Sequence, residues 1–274
     1  MKKAIIILAI VTLVSIIYAT TMTVHTSSGD VDFEISEITS ITFESDGGGT
    51  GTVTDIDGNV YQTLVIGDQE WMVENLKVTH YRNGDPIPNV TDNDEWANAN
   101  NGAYCVYANN ESNVDTYGYL YNWYAVGDER GLAPEGWHVP TDDEIKQLEM
   151  YLGMSQSEAD DIDYRGTNQG SQLAGNAALW VDGALENDPE FGSSGFDLLP
   201  GGYRTSSGYF GNLGSYGYVW SATETENYTY YAWVRLLNFS NTQVGRNYFD
   251  KRNGFSVRCV RDLNDKKGVN NGSK

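Results

Sequence analysis

The sequence predicts an α+β fold, with a few short helices in its first half and a strand-rich, loop-rich second half. Three observations carry this. "EGWHVPTDDEIKQLEMYLG", residues 135–153, encodes a capped amphipathic helix. "YYAWVRLL" and "GFSVRCVRD" read as strands in the second half. Asp57-Gly58 and Gly67-Asp68 are turns that punctuate alternating runs near residue 60.

Taken in order, residues 1–19 open with Lys2 and Lys3 and continue as an apolar run to Ile17. That is a signal peptide by length, short for a membrane span, with cleavage after Ala19. An uncleaved anchor is the alternative. Residues 20–45 form a small β unit, with a turn at Ser28-Gly29-Asp30 and alternation at Val31, Phe33, Ile35 and at Ile41, Phe43. Residues 46–51 are a Gly-rich linker. The main domain spans 52–262, and 263–274 is a polar tail.

Inside that domain, the D-x-D-G-N run at Asp55 to Asn59 lacks the spacing and distal Glu of a calcium loop and reads as a hairpin turn. One helical turn is expected around Trp96, and "GAYCVY" is a short strand. The aromatic run at residues 117–126 is buried by composition and fits strand or helix. The helix over 142–152 has Thr141 as N-cap and Glu144 three residues on, the pattern of a capping box. Asp142 and Asp143 suit the positive end of its dipole. Ile145, Leu148 and Leu152 form its apolar stripe, and Gly153 suits a C′ stop. "SQSEADDIDY" and "NQGSQLAG" suggest two further short helices.

Charge excludes several functions. The chain has 274 residues and a formal charge of −21, which becomes −23 once residues 1–19 are removed. Nucleic acid and anionic membrane surfaces both need a basic footprint, so neither is an expected partner. Such a balance fits solubility outside the cell and permits cation binding. Cys105 and Cys259 are the only cysteines. After export they could close a long loop as a disulfide; two buried thiols is the other reading.

For catalysis, the chain is poorly supplied. His25, His80 and His138 are scattered, and no G-x-S-x-G, H-E-x-x-H or C-x-x-C occurs. His138 has no second His or Cys at ligand spacing, so no metal site is expected and His138 is given no chemistry. No cofactor is expected; the many acids permit calcium without demanding it.

The ordered segments "DIDGNVY", "IGDQEWMVENL", "NGDPIP", "GAYCVY", "YGYLYNWYAV", "PEGWHVPTDDEI", "GFDLLPGGYR", "GYVWSATE", "AWVRLL" and "NGFSVRCVRD" run from about Thr52 to Asp262. This pattern resembles the Fibrobacter succinogenes major paralogous domain, an extracytoplasmic bacterial family. "ISEITSITF" resembles, more weakly, a hairpin seen ahead of such domains. The order of "WHVPT", "GGYR" and "GFSVR" more distantly resembles the C-type-lectin-like fold, which the sulfatase-modifying (formylglycine-generating) enzymes share. The resemblance implies a small, twisted, mostly antiparallel sheet with few helices and long loops. Those enzymes need a close pair of reactive cysteines in the second half, where this chain has only Cys259, so their activity is not carried over. Relatives often place Cys-Pro before Gly-Trp-His; here Ala133-Pro134 stands there, leaving Cys105 and Cys259 as the one available pair.

The expectation is a secreted or surface-displayed, non-catalytic binding or adhesion module for an extracellular glycan or surface protein. A structural matrix protein is the alternative, and a cryptic formylglycine-generating enzyme a more remote one. The candidate ligand residues are Tyr209, Tyr216, Tyr218, Asn238, Asn241, Arg246 and Tyr248, in a stretch dense in Tyr, Asn, Ser and Gly. Trp220 and Trp233 are assigned to the core, each being in a short alternating run. Arg204 is expected to buttress a loop through a carboxylate.

Overall fold

The computed structural model describes residues 21–26, 29–34 and 50–263. The chain divides into two units, Met1–Asp46 and Gly47–Lys274. The first contains an antiparallel hairpin of β1 (Thr21–Thr26) and β2 (Gly29–Glu34), closed by the pair Thr26↔Gly29. Gly29 and Asp30, two residues of the expected turn, lie inside β2, and Ser28 lies outside the described residues. Residues 1–19, the expected signal peptide, lie outside the described residues, as do Ile35, Ile41, Phe43 and the tail beyond Leu263.

The second unit begins with β3 (Thr50–Thr54), β4 (Val60–Ile66) and β5 (Gln69–Met72). β3 takes in the last two residues of the expected linker. Asp55 fixes the first turn: its Oδ1 accepts from the backbone N–H of Asp57 and Asn59, and its Oδ2 from Tyr61 Oη at 2.6 Å. The D-x-D-G-N run is thus a turn held by its own carboxylate. Next come α1 (Asn93–Ala97), β6 (Tyr104–Cys105), α2 (Val114–Tyr117), β7 (Leu120–Tyr121) and α3 (Trp123–Val126). The aromatic run 117–126 therefore holds both a strand and a helix. Asn122 divides them, accepting from Ala125 N as the N-cap of α3.

The long helix α4 (Asp142–Tyr151) starts at Thr141 with both halves of the capping box formed. It stops at Gly153, whose φ of +102° suits glycine. Helix α5 (Gln156–Asp160), β8 (Asp163–Arg165) and α6 (Gln169–Leu173) follow. The remainder is β9 (Gly201–Arg204), β10 (Phe210–Leu213), β11 (Tyr216–Glu224), β12 (Tyr231–Asn238), β13 (Asn241–Asp250) and β14 (Val260–Asp262).

Instead of one sheet, this unit has two four-stranded antiparallel sheets, ordered β14-β5-β4-β3 and β11-β12-β13-β8, with the two-stranded ribbons β9-β10 and β6-β7. The segment before β14 joins them: Phe255 bridges Tyr121, and Ser256 bridges Val219 of β11. Both of its faces are enclosed. Phe255, Val257 and Cys259 point into one apolar cluster as the alternation requires, while Ser256 and Arg258 are equally buried on the other side. The apolar stripe of α4 packs where the sheets meet: Ile145 and Leu148 share a cluster with Ile66 and Trp71 of one sheet and Val219, Leu237 and Val244 of the other. Each such side chain contributes about 1.5–3 kcal/mol on burial.

The expected disulfide is absent. Cys105 and Cys259 are free, buried thiols. Cys105 packs with Trp96, Ala103 and Leu120, whereas Cys259 lies in the separate cluster around Trp220 and Phe255. Strand alternation turns each inward, but into different parts of the core, so sequence separation gave no guide to their meeting. Burial pushes the Cys105 thiol up to about 12, against the pull of Arg204, and raises that of Cys259 as well. Two arginines serve as internal buttresses. Arg204 donates to the carbonyls of Thr91, Asp92 and Gly208 at 2.9–3.1 Å, to that of Val90 and to Asn93 Oδ1 at 3.1 Å, so carbonyl oxygens, not a carboxylate, are its hydrogen-bond partners. Arg258 donates to the carbonyls of Phe196 and Asp197 and to Asn75 Oδ1. Among the described residues no helix is long and apolar enough to cross a membrane.

Candidate functional site

The strands β12 and β13 and the start of α4 build a cleft of about 530 Å³, whose lining includes Asp142, Lys146, Tyr228, Trp233, Arg246 and Tyr248. Register places the aromatics. Trp233 is paired directly with Tyr248 across the strands, and Arg235 with Arg246. The Trp233 and Tyr248 rings meet edge to face at 5.6 Å, and Tyr228 lies near-parallel to Tyr248 at 6.3 Å. Tyr228 comes from the loop after β11. Thr225 holds that loop, donating from N to Tyr231 O at 3.1 Å and from Oγ1 to Tyr228 O at 2.7 Å.

The cleft floor is ionic. The Asp142 carboxylate accepts from Arg246 Nη2 at 2.7 Å and from Arg235 Nη1 at 2.7 Å, with Lys146 Nζ at 3.4 Å. Behind it Glu149, fully enclosed, joins Arg235 at 2.8 Å and Arg165. Burial alone would raise the Asp142 pKa, but the guanidiniums of Arg246 and Arg235 outweigh it and hold the carboxyl well below the usual range. Arg246 also lies 3.7 Å over the Trp233 ring and donates to the carbonyls of Asp160 and Asp161. Toward the rim, Lys146 meets Asp160 at 2.9 Å and Lys251 meets Glu224 at 2.8 Å. Every cation here has a carboxylate partner. The arrangement offers flat rings above a floor whose central carboxylate, Asp142, is held ionised by two guanidiniums.

The seven sequence-predicted ligand residues fall in separate places. Arg246 and Tyr248 line the cleft. Tyr209 sits at the tip of the β9–β10 hairpin, 66% exposed. Asn241 lies at the start of β13, where its Oδ1 accepts from Gln243 N. Tyr218 and Asn238 are buried, which corrects the expectation that they face a ligand. Tyr218 stacks on Phe255 at 4.8 Å. Asn238 donates to the hydroxyls of Tyr216 and Tyr164. Tyr216 is half-buried, stacked on Tyr218 at 5.6 Å, so it is no free platform. Between Asn238 and Asn241 the chain makes a tight turn at Phe239-Ser240, and Arg246 and Asn247 lie inside β13.

Trp220 is buried as expected, whereas Trp233 is only half-buried and forms a cleft wall. Alternation along β12 puts Trp233 and Arg235 on one face of the strand. It could not show that α4 covers only the Arg235 end of that face. Asp142 and Lys146 were legible as helix residues, not as a cleft floor.

Elsewhere, one group of three metal-ligating side chains is found among the described residues: His138, Glu144 and Asp262. A second concavity, of about 310 Å³, is bordered by Glu74, Lys77, Asp115, Asn176 and Asp197, and has less aromatic surface.

No curated protein and no solved structure matches the chain. The family comparison is positive: residues 64–261 match the Fibrobacter succinogenes major domain. That span holds every strand from β5 to β13, β14 up to Arg261, both buttressing arginines, α4 and the whole aromatic cleft, and the chain belongs to the Fibrobacter succinogenes major domain family.

Proposed function

We propose that the protein is a non-catalytic binding module, secreted or displayed at the cell surface, whose ligand lies in the cleft of Trp233, Tyr228 and Tyr248. The ligand class is a neutral glycan. The carrying observation is the cleft's pairing of half-exposed aromatic walls with a floor on which each cation already has its carboxylate. Flat rings suit the apolar faces of sugars, and with every cation paired to a carboxylate the cleft has no free positive charge to attract an anion. The scaffold is read as C-type-lectin-like, with the ligand face at the β11–β12 loop. Both oxygens of Asp142 are engaged, which supports a non-catalytic reading. The enclosed Cys259 supports no thiol chemistry of the formylglycine-generating kind.

Single ring contacts are worth on the order of 1 kcal/mol, so a lone module binds weakly and depends on display in many copies. The test is retention on a panel of insoluble neutral polysaccharides and on a glycan array. Trp233→Ala with Tyr248→Ala should abolish retention while the protein stays folded by circular dichroism. Retention that survives the double substitution would remove the cleft from consideration. Self-association in the absence of any glycan binding would favour the structural alternative.

A further inference from the structure

Away from the cleft, three segments bring metal-ligating atoms together. His138 is fixed by a two-way backbone bridge: its N–H donates to Val260 O at 3.0 Å, and its carbonyl accepts from Val260 N at 2.9 Å. Glu144 is fixed by the capping box, in which its Oε2 accepts from Thr141 N and Oγ1, both at 2.7 Å. Its other oxygen, Oε1, lies 2.5 Å from His138 Nε2. Asp262 ends β14, two residues past Val260 and paired with Gln69 of β5. A ligand atom from each of the three lies within 4.8 Å of the others.

We propose that His138 Nε2, Glu144 Oε1 and a carboxylate oxygen of Asp262 form a site for a divalent first-row transition-metal ion of the Zn²⁺ type. The donors are mixed, one imidazole and two carboxylates, from a loop, a helix and a strand. This distinguishes the group from an ordinary patch of surface acids. The imidazole selects against Ca²⁺ and Mg²⁺, which take oxygen ligands, and suits Zn²⁺ and its neighbours. Two carboxylates and a neutral imidazole balance a divalent charge.

The distances require only side-chain movement. Donors about 2.0–2.1 Å from a tetrahedral ion stand roughly 3.3 Å apart. The His138–Glu144 pair opens by less than an ångström and Asp262 closes in, while the backbone bridges hold all three main chains. Glu144 keeps Oε2 for the cap, so metal and cap use different oxygens. Three protein donors leave one position for water. A bound ion would tie the entrance of α4 to β14, the edge strand of the first sheet.

The test is calorimetric titration of Zn²⁺ into the full chain, carried without a histidine tag and stripped with EDTA, alongside thermal melts. One saturable site is expected, with a rise in melting temperature that EDTA reverses. Asp262→Asn and His138→Gln should each weaken binding by at least about tenfold. Asp262→Asn keeps the backbone pairing of β14, so its own metal-free melt is the baseline against which its ion-induced rise is read. If His138→Gln fails to fold, the Asp262 variant carries the test alone. The assignment is overturned by the absence of saturable binding at about 1 mM Zn²⁺. It is equally overturned by binding that Asp262→Asn leaves intact, which would place the ion on acids elsewhere. Equal affinity for Ca²⁺ would remove the nitrogen donor from the site.

Discussion

Asp142→Asn tests the ionic floor of the cleft. The substitution keeps the shape and removes the charge of a side chain only 6% exposed. Arg246 loses contacts of 2.7, 3.1 and 3.2 Å to a carboxylate, and Arg235 one of 2.7 Å. Breaking a buried ion pair from one side costs about 3–5 kcal/mol, since the remaining charge stays buried without compensation. Arg235 keeps Glu149 and Arg246 keeps two carbonyls, so the lower end applies, about 3 kcal/mol. That is roughly a hundredfold in the folding equilibrium. Urea unfolding with matched m-values is the assay. Asp143→Asn is the control: its side chain is 85% exposed, and the change should stay within about 0.5 kcal/mol. The pH dependence has a definite sign. The folded-state pKa of Asp142 lies below the ordinary 3.8, so its stabilisation is fully present above that value and is lost as pH falls through it toward the folded pKa. The gap between wild type and variant should therefore narrow below about pH 4. A loss under about 1 kcal/mol at pH 7 would refute the claim that Asp142 neutralises this floor.

Other expectations are more local. Thr141→Ala should cost about 1 kcal/mol in the same unfolding assay, the usual loss of an N-cap acceptor. Native protein should take up no alkylating reagent, and denatured protein should take up two equivalents without reductant, because both thiols are free, enclosed and raised in pKa. A mass unchanged after denaturation would restore the disulfide. Gly170→Ala should destabilise by about 1–3 kcal/mol, since a Cβ there would stand 2.4 Å from the carbonyl oxygen of Gln243 in β13. Tyr209→Ala, by contrast, should alter neither the melting temperature nor glycan retention, since the ring stands alone on a hairpin tip outside the cleft.

Elements specified by nearby residues were legible in the sequence. The cap of α4 needs only Thr141 and Glu144, and the first hairpin turn needs only Asp55, Gly58 and Asn59, so short-range chemistry sufficed. Residues 117–126 were ambiguous because Asn122 changes the backbone from strand to helix within one apolar run, which composition averages away. The division into two sheets was not legible either. It depends on the bridges of Phe255 to Tyr121 and Ser256 to Val219, pairings with no local signal. Nor was the His138 group legible: the sequence assigned Glu144 to the cap and gave His138 no chemistry, and Asp262 arrives only through β14.

Under the proposed function, stability and recognition share residues in the cleft. Asp142 looks locally like a helix-dipole acid, and its N–H is indeed anchored by Thr223 Oγ1 at 2.9 Å. Its carboxylate, though, holds Arg235 and Arg246, which lie 93 and 104 residues away. Arg246, held there, covers one face of Trp233. A ligand is thus left the opposite face and edges of that ring, together with Tyr228 and Tyr248. The platform's exposed side is set by an ion pair whose main task is to seat α4 on the sheet. Substitutions of Asp142 should therefore weaken binding and stability together, while Tyr228→Ala, at a ring 57% exposed, should separate the two. That difference distinguishes a wall of the site from its foundation.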